Sequence, residues 1–391
     1  MFAVVLLLVV GNALATACTL LYQLFWYNNR IRHRFDKAIT PSCTIIIPCK
    51  GTSPHFAENI RAFIRQDYPT YEVVFTLESN TDAACAVVNE LAATQKNVRV
   101  VIAGLATAGG QKNHNLIAAT NASTATEIYV FADSDIRPFP GWLRQIVLPL
   151  SRPEIMLSTG FRWLYALQST LGPAVHFYMN AFLYNLYCTI SLFGQVHAWG
   201  GTMDIRRADF ERLRIGEKWQ NLVVDDSSIS EIVRQAGGKS VLVPPCITHT
   251  TETLPKTGEA VRWFERQMMF LKYYSTPLWV TAMPIIGVAF LAMIWTPLAF
   301  VLAHGNVHRA FELGAGAGIF LALGKYIFDY CYFLLGPIPK PLPLILAGPL
   351  LLFFFLLSCL RTLFTNVITW AGVRYYMNMS GIVRRVERPG K

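Results

Sequence analysis

Residues Phe2–Tyr27 are almost continuously apolar, about the length a helix needs to cross a bilayer. Three further apolar stretches follow residue 275, at roughly 278–303, 310–335 and 342–370. A chain with such ends is expected to build a polar domain between membrane segments. Charged residues make up only 15% of the 391 residues, and the mean hydropathy is +0.37. The apolar excess sits at the two ends, whereas residues 30–275 carry interspersed charges like a soluble α/β protein. A signal peptide is disfavoured, because the first run is long for an h-region and only the amino terminus precedes it as positive charge. Phe25, Trp26 and Tyr27 form an interfacial belt, and Arg30, Arg32 and Arg34 beyond it place the following domain in the cytoplasm.

The expected organisation is an anchor at 1–28, a cytoplasmic domain at 35–275, transmembrane or interfacial helices at 276–370 and a basic tail at 371–391. One anchor plus three crossings puts that basic tail outside, against the positive-inside tendency, so one stretch is re-entrant or interfacial. Lys325 and Asp329 lie four apart in the second stretch, where they pair on a helix face or meet an acceptor headgroup. The net charge of +10 concentrates beside the apolar runs and forms no basic stripe interleaved with aromatics, so a membrane is the expected partner and nucleic acid is not. The eight cysteines show no C-x-x-C spacing and read as buried free thiols.

Between the ends, strand signals at Thr44–Pro48, Tyr71–Leu77, Val98–Ala103 and Ile128–Ala132 alternate with helical patterns at Glu58–Gln66, Ala83–Ala93 and Lys112–Thr120. That alternation predicts βαβ units, a mostly parallel sheet and ligands beyond the carboxyl ends of its strands. Polar groups stand there: Lys50 after the first strand, Glu78 after the second, and Asp133-Ser134-Asp135 after the fourth. Two carboxylates one residue apart after an apolar strand suit Mg²⁺ or Mn²⁺, although a solvated turn yields the same pattern. Gly109-Gly110-Gln111-Lys112-Asn113 opens a helix, as a phosphate cradle with a cation or as a plain loop. Asp225-Asp226 precedes a helical pattern, as a helix cap or as a general base with an acidic neighbour. Arg262-Trp263 is either an interfacial pair or part of a site. Residues 163–199, rich in Leu, Phe, Tyr and Trp, read as core helices or as an amphipathic element in the interface.

Taken in order, Pro48-Cys49-Lys50-Gly51, Gln66-Asp67-Tyr68-Pro69, Tyr71-Glu72-Val73, Lys112, Asp133-Ser134-Asp135, Gly200-Gly201-Thr202-Met203, Asp225-Asp226 and Arg262-Trp263 resemble the family 2 glycosyltransferases of GT-A fold. Within them the chain is most similar to ceramide glucosyltransferases and their bacterial lipid-glycosylating relatives. Phe328-Asp329-Tyr330 and Trp370 through Arg374-Tyr375 resemble that family's tail. The resemblance implies an inverting transfer of glucose from UDP-glucose to a ceramide-like lipid, with Asp226 as base and Asp225 beside it. It gives Asp133 to the ribose or the metal shell, Asp135 to the cation, Lys112 to the nucleotide, and Arg262 and Trp263 to the diphosphate and the acceptor end. Glu78 or Asp82 stands where the family has a uridine-contacting aspartate, and Lys50 joins the donor site. His249 stands where some GT-A enzymes place an extra metal ligand. Glu259 departs from the Gln or Arg that opens the family's last motif, and the full D-x-D favours metal dependence. The alternatives are a processive polysaccharide synthase, which needs more membrane helices, and a catalytically silent assembly protein.

Overall fold

The computed structural model describes residues 21–22, 40–123, 126–164, 170–250, 256–284, 286–287 and 353–388. Two compact units emerge. One draws on Tyr22–Arg162, Ile190–His249 and Asn366–Lys391, the other on Met1–Leu21, Trp163–Thr189 and Thr250–Thr365. The segmentation therefore departs from a single domain over 35–275, since 163–189 and 250–275 leave it and the C-terminal residues join it.

The first unit is the expected α/β fold, with a parallel half. Strands β1 (Cys43–Cys49), β2 (Tyr71–Leu77), β3 (Val98–Ile102) and β4 (Ile128–Ala132) alternate with helices α1 (Phe56–Ile64), α2 (Ala84–Thr94) and α3 (Gln111–Ala122). β1 reads CTIIIPC and is buried almost throughout, as a strand covered on both faces must be. In α1, Phe56, Ile60 and Phe63 recur at helical spacing and are buried. β1 pairs in parallel with β2 and β4, and β2 with β3.

Short helices α4 (Trp142–Val147), α6 (Arg207–Arg212) and α7 (Ile215–Trp219) accompany the other half of the sheet, built by β5 (Ile155–Leu164), β6 (Thr202–Arg206) and β7 (Lys239–Thr250). The full order is β3-β2-β1-β4-β6-β5-β7, with β6 antiparallel to both β4 and β5. Chain direction away from β1 reverses between β2 and β4, so a crevice opens beyond the carboxyl ends of β1 and β4.

The C-terminal residues correct two expectations. Residues 353–363 are helical, but the stretch expected to run on to 370 ends in β8 (Val367–Trp370). The expected basic tail supplies β9 (Val373–Met377) and β10 (Val383–Glu387), which join β8 in a three-stranded antiparallel sheet. Alternation explains it: Val373, Tyr375 and Met377 are buried while Arg374 is exposed, the period of a half-buried strand. The arginines lie on the surface, where Arg385 stacks over the Tyr376 ring at 3.9 Å.

In the other unit, residues 171–191 form α5 (Leu171–Ser191), with Ala174, Val175, Phe177, Met179, Ala181, Tyr184 and Cys188 buried. Of the two readings of 163–199, this is the core one. Helix α9 (Thr257–Tyr274) packs on the 353–363 helix, with Phe264 and Phe355 stacked at 4.2 Å. Lys272 donates to the carbonyls of Thr362 and Thr365 at 2.6 and 2.8 Å, capping that helix's C-terminus. Among the described residues no helix is long and apolar enough to cross a membrane. The apolar stretches at 2–27, 278–303 and 310–335 lie largely or wholly outside the described residues, as do Lys325 and Asp329. The described cysteines Cys43, Cys49, Cys85, Cys246 and Cys359 are free thiols and buried, as expected, and Cys188 is buried too.

Candidate active site

The crevice holds a cavity of about 340 Å³, lined among others by Lys50, Gly51, Lys112, Asp133, Asp135 and Trp370. Its centre is Lys112, in the first turn of α3. The ammonium lies 2.9 Å from Asp133 Oδ1 and 2.9 Å from Asp225 Oδ2, and donates to the Gly200 carbonyl at 3.1 Å. Asp226 Oδ2 accepts the Gly200 N–H at 3.0 Å, and its Oδ1 accepts the Ser227 N–H at 2.6 Å.

Each partner arrives from a different element. Asp133 follows β4. Gly200 and Gly201 precede β6, whose antiparallel pairing with β4 sets Thr202 opposite Ala132 and lets Asp133 N–H donate to the Gly201 carbonyl at 3.2 Å. Asp225 and Asp226 open α8 (Asp225–Gln235), where the helix dipole favours negative charge. Gly200 leaves room for the cluster: a Cβ there would lie 2.8 Å from both Asp225 Oδ2 and Lys112 Nζ, and 3.2 Å from Asp226 Oδ2.

Electrostatics follow from this packing. Burial works against the charge on Lys112, but Asp133, Asp225 and Asp226 together outweigh it and hold its pKa above the usual lysine value. Burial raises the carboxyl groups of Asp133, Asp225 and Asp226, opposed in each by Lys112, and in Asp226 also by the N–H groups of Gly200 and Ser227. A carboxylate raised in this way, beside a fixed cation, is poised to take a proton.

The D-x-D residues diverge. Asp133 is engaged by Lys112, whereas Asp135 pairs through Oδ2 with Arg162 of β5 and leaves a buried Oδ1 without a hydrogen bond. Arg162 in turn lies 5.7 Å over the Trp199 ring. A divalent cation fits these residues: Mg²⁺-type sites take one or two carboxylates and complete their shell with substrate phosphates and water, and Asp135 Oδ1 is an oxygen that lacks a partner. His249 does not complete the set. It is exposed on β7, and among the described residues no group of three or more His, Cys, Asp or Glu side chains is placed to hold a metal.

At the other end of the cavity Lys50 lies 3.4 Å from Glu78. Asp82 does not line the cavity; its Oδ1 accepts the N–H groups of Gly51 at 2.9 Å and Ala84 at 2.8 Å, clasping a loop to the start of α2. Gly109 and Gly110 follow the plain-loop reading. A Cβ at either would lie 2.5 Å from the Gln220 carbonyl or 2.6 Å from that of Val223, so these glycines let the loop before α3 pack against residues 220–223 instead of a phosphate. Arg262 and Trp263 belong to α9 of the other unit, where Arg262 is exposed and the Trp263 ring meets His176 at 4.7 Å.

Sequence reasoning passed over Arg162 and Arg388, and named Gln111 only within the glycine motif before Lys112. An arginine inside the apolar strand Gly160-Phe161-Arg162-Trp163 is a signal that could have been used; Arg388 carried none.

Lysine and carboxylates thus gather at the switch point of the sheet, where α/β folds bind their ligands. The chain matches the model of glycosyl transferase family 21 over residues 5–383 and belongs to that family, a GT-A family of the ceramide glucosyltransferase type. The motif resemblance is thus realised in family 21, and the chain is a glycosyltransferase. Among solved structures it is similar to a mannosyltransferase from Pyrobaculum calidifontis in complex with GDP-Man and Mn²⁺, at 18% identity over 90% of this chain and 98% of that one, with a TM-score of 0.49. It is also similar to glucosyl-3-phosphoglycerate synthase from Mycobacterium tuberculosis in complex with Mn²⁺, UDP-glucose and phosphoglyceric acid, at 17% identity over 59% and 78% of the two chains, with a TM-score of 0.40.

Proposed function

We propose that the chain is an inverting glycosyltransferase that moves glucose from UDP-glucose to a hydroxyl of a ceramide-like lipid at the cytoplasmic face of a membrane. The observation that carries the reading is the Lys112 cluster: a fixed cation lining the switch-point cavity, paired with Asp133 and Asp225, with Asp226 held by the adjacent Gly200. Family membership supports a sugar nucleotide as donor. The apolar stretches at both ends support the membrane, as do the exposed Leu360, Leu363 and Phe364 in and beside the 353–363 helix.

In a single displacement the acceptor oxygen attacks the anomeric carbon as the bond from that carbon to the diphosphate oxygen breaks. Asp226 takes the acceptor proton, and nucleoside diphosphate leaves with the electron pair. Gly200 N–H and Ser227 N–H fix both oxygens of Asp226 and orient the base. Lys112 holds Asp133 and Asp225 in place and offsets their charge where an anionic donor must bind. Asp135 and Asp133 would hold Mg²⁺ or Mn²⁺, which when bound neutralises charge on the departing diphosphate.

Nucleoside-diphosphate release by the detergent-solubilised full chain, over UDP- and GDP-sugars with and without lipid, tests this reading. Release from UDP-glucose that rises with ceramide-like lipid is expected; release indifferent to every lipid would overturn the acceptor assignment. Asp135→Ala should lower Mn²⁺-dependent donor binding by about tenfold or more, and unchanged Mn²⁺ dependence would remove Asp135 from the metal site.

A further inference from the structure

We propose that the C-terminal sheet completes the donor site and that Arg388, immediately after β10, is the positioning residue that fastens it to the nucleoside end. The proposal rests on the reading of the cavity as the donor site. Trp370, Val373 and Tyr375, all from the C-terminal sheet, line that cavity. The Trp370 ring lies 5.8 Å from Lys112 Nζ, and Gln111 N–H donates to the Tyr375 hydroxyl at 3.4 Å. β10 is tied down at its start, where Val383 N–H donates to the Asn221 carbonyl at 3.0 Å.

At the far end of β10 the Arg388 guanidinium joins three separate pieces of the α/β fold. Its Nη2 donates to Gln111 Oε1 at 2.9 Å and to the Ala106 carbonyl at 3.2 Å, and its Nη1 lies 3.7 Å from Glu78 Oε1. Those groups belong to the first turn of α3, the loop before it and the end of β2. The Arg388 side chain is only 15% exposed, so water screens these contacts weakly.

Gln111 is saturated by this arrangement. Its Oε1 also accepts the Ala106 N–H at 2.9 Å, while its Nε2 donates to the Gly104 carbonyl at 2.8 Å and to Asn115 Oδ1 at 2.9 Å. The residue next to Lys112 therefore depends on Arg388 for one of its contacts. Arg388 also offsets Glu78, which faces Lys50 on its other oxygen. Without Arg388 a less compensated carboxylate stands beside a cavity that must accept a diphosphate. A lysine cannot replace it, because a single ammonium lacks the planar fork that reaches three acceptors on diverging elements.

The test is calorimetric binding of UDP and of GDP, each with Mn²⁺, to the full chain, the tighter of the two being carried through the variants alongside donor kinetics. Arg388→Ala should weaken nucleoside-diphosphate binding about tenfold and raise donor KM by the same factor, with kcat within about twofold of wild type. Arg388→Lys should fall between, and it carries the test should the alanine variant fail to fold. The double variant Glu78→Gln with Arg388→Ala should bind no worse than Arg388→Ala alone, since the two side chains act as a pair. Binding within twofold of wild type in Arg388→Ala and Arg388→Lys would overturn the proposal, as would a kcat loss matching the KM rise. Asp135→Ala separates the two readings. If it loses Mn²⁺-dependent binding while the Arg388 variants do not, only the role of Arg388 fails; if it binds like wild type, the donor-site reading itself fails.

Discussion

Asp204 and Asp225 are both fully buried in the same unit, and burial pushes both carboxyl groups above the ordinary carboxylate range, but only Asp225 has a cation against it. Asp204 sits on β6, where burial raises it and hydrogen bonding with Ser158 opposes that only in part. Asp225 has Lys112 at 2.9 Å. An unpaired buried carboxyl group meets its desolvation cost by holding its proton; a paired one can stay ionised and do chemistry. Strand β6 thus buries an acid with no cation against it, and the crevice between β1 and β4 sets Asp133 and Asp225 against Lys112.

The largest effect expected from breaking that contrast is at Lys112. Lys112→Met removes the cation and leaves Asp133 and Asp225 uncompensated, with a stability loss of about 3 kcal/mol and loss of donor binding. Thermal unfolding and nucleotide titration check both. Next is Gly200→Ala, whose methyl group intrudes on Asp225, Asp226 and Lys112 together. It should lower kcat by about 100-fold while costing only about 1–2 kcal/mol of stability, because the intrusion meets the reacting groups and not the core.

The smallest effect is at Asp204. Its folded pKa is raised, so its contribution to stability is fully present below the unfolded carboxylate value and is lost as pH rises through the higher folded value. Asp204→Asn mimics the neutral acid. Its stability should lie within about 1 kcal/mol of wild type in acid and gain on wild type as pH rises. A wild-type chain that gains on the variant with rising pH would show that Asp204 is ionised and paired after all.

The parallel half of the fold was legible because strands buried on both faces are short continuous apolar runs, such as Ile45-Ile46-Ile47 and Val73-Val74-Phe75, each ending in polar residues. Lys112, Asp133 and Asp226 were legible for the same reason: they stand at the ends of elements whose order fixes where those ends meet. The half built by β5–β7 was less so, because the antiparallel pairing of β6 with β4 joins residues about 70 positions apart that share no local pattern. β8–β10 were hidden by composition. Arg374, Arg384 and Arg385 made residues 371–391 read as a basic tail, although Val373, Tyr375 and Met377 alternate with Arg374 and Tyr376. Gly109 and Gly110 left two readings open, since glycine marks a close approach without saying what approaches.

The central claim is that Asp226, held by Gly200 and Ser227 beside Lys112, is the base for glycosyl transfer. Asp226→Asn keeps size and one acceptor oxygen but cannot take the proton. Transfer by this variant should fall by about 10³-fold with donor affinity within a few-fold of wild type, and the wild-type rate should fall in acid on a limb lying above the ordinary carboxylate range. Near-normal transfer in Asp226→Asn, or loss of donor binding in step with transfer, would contradict the account.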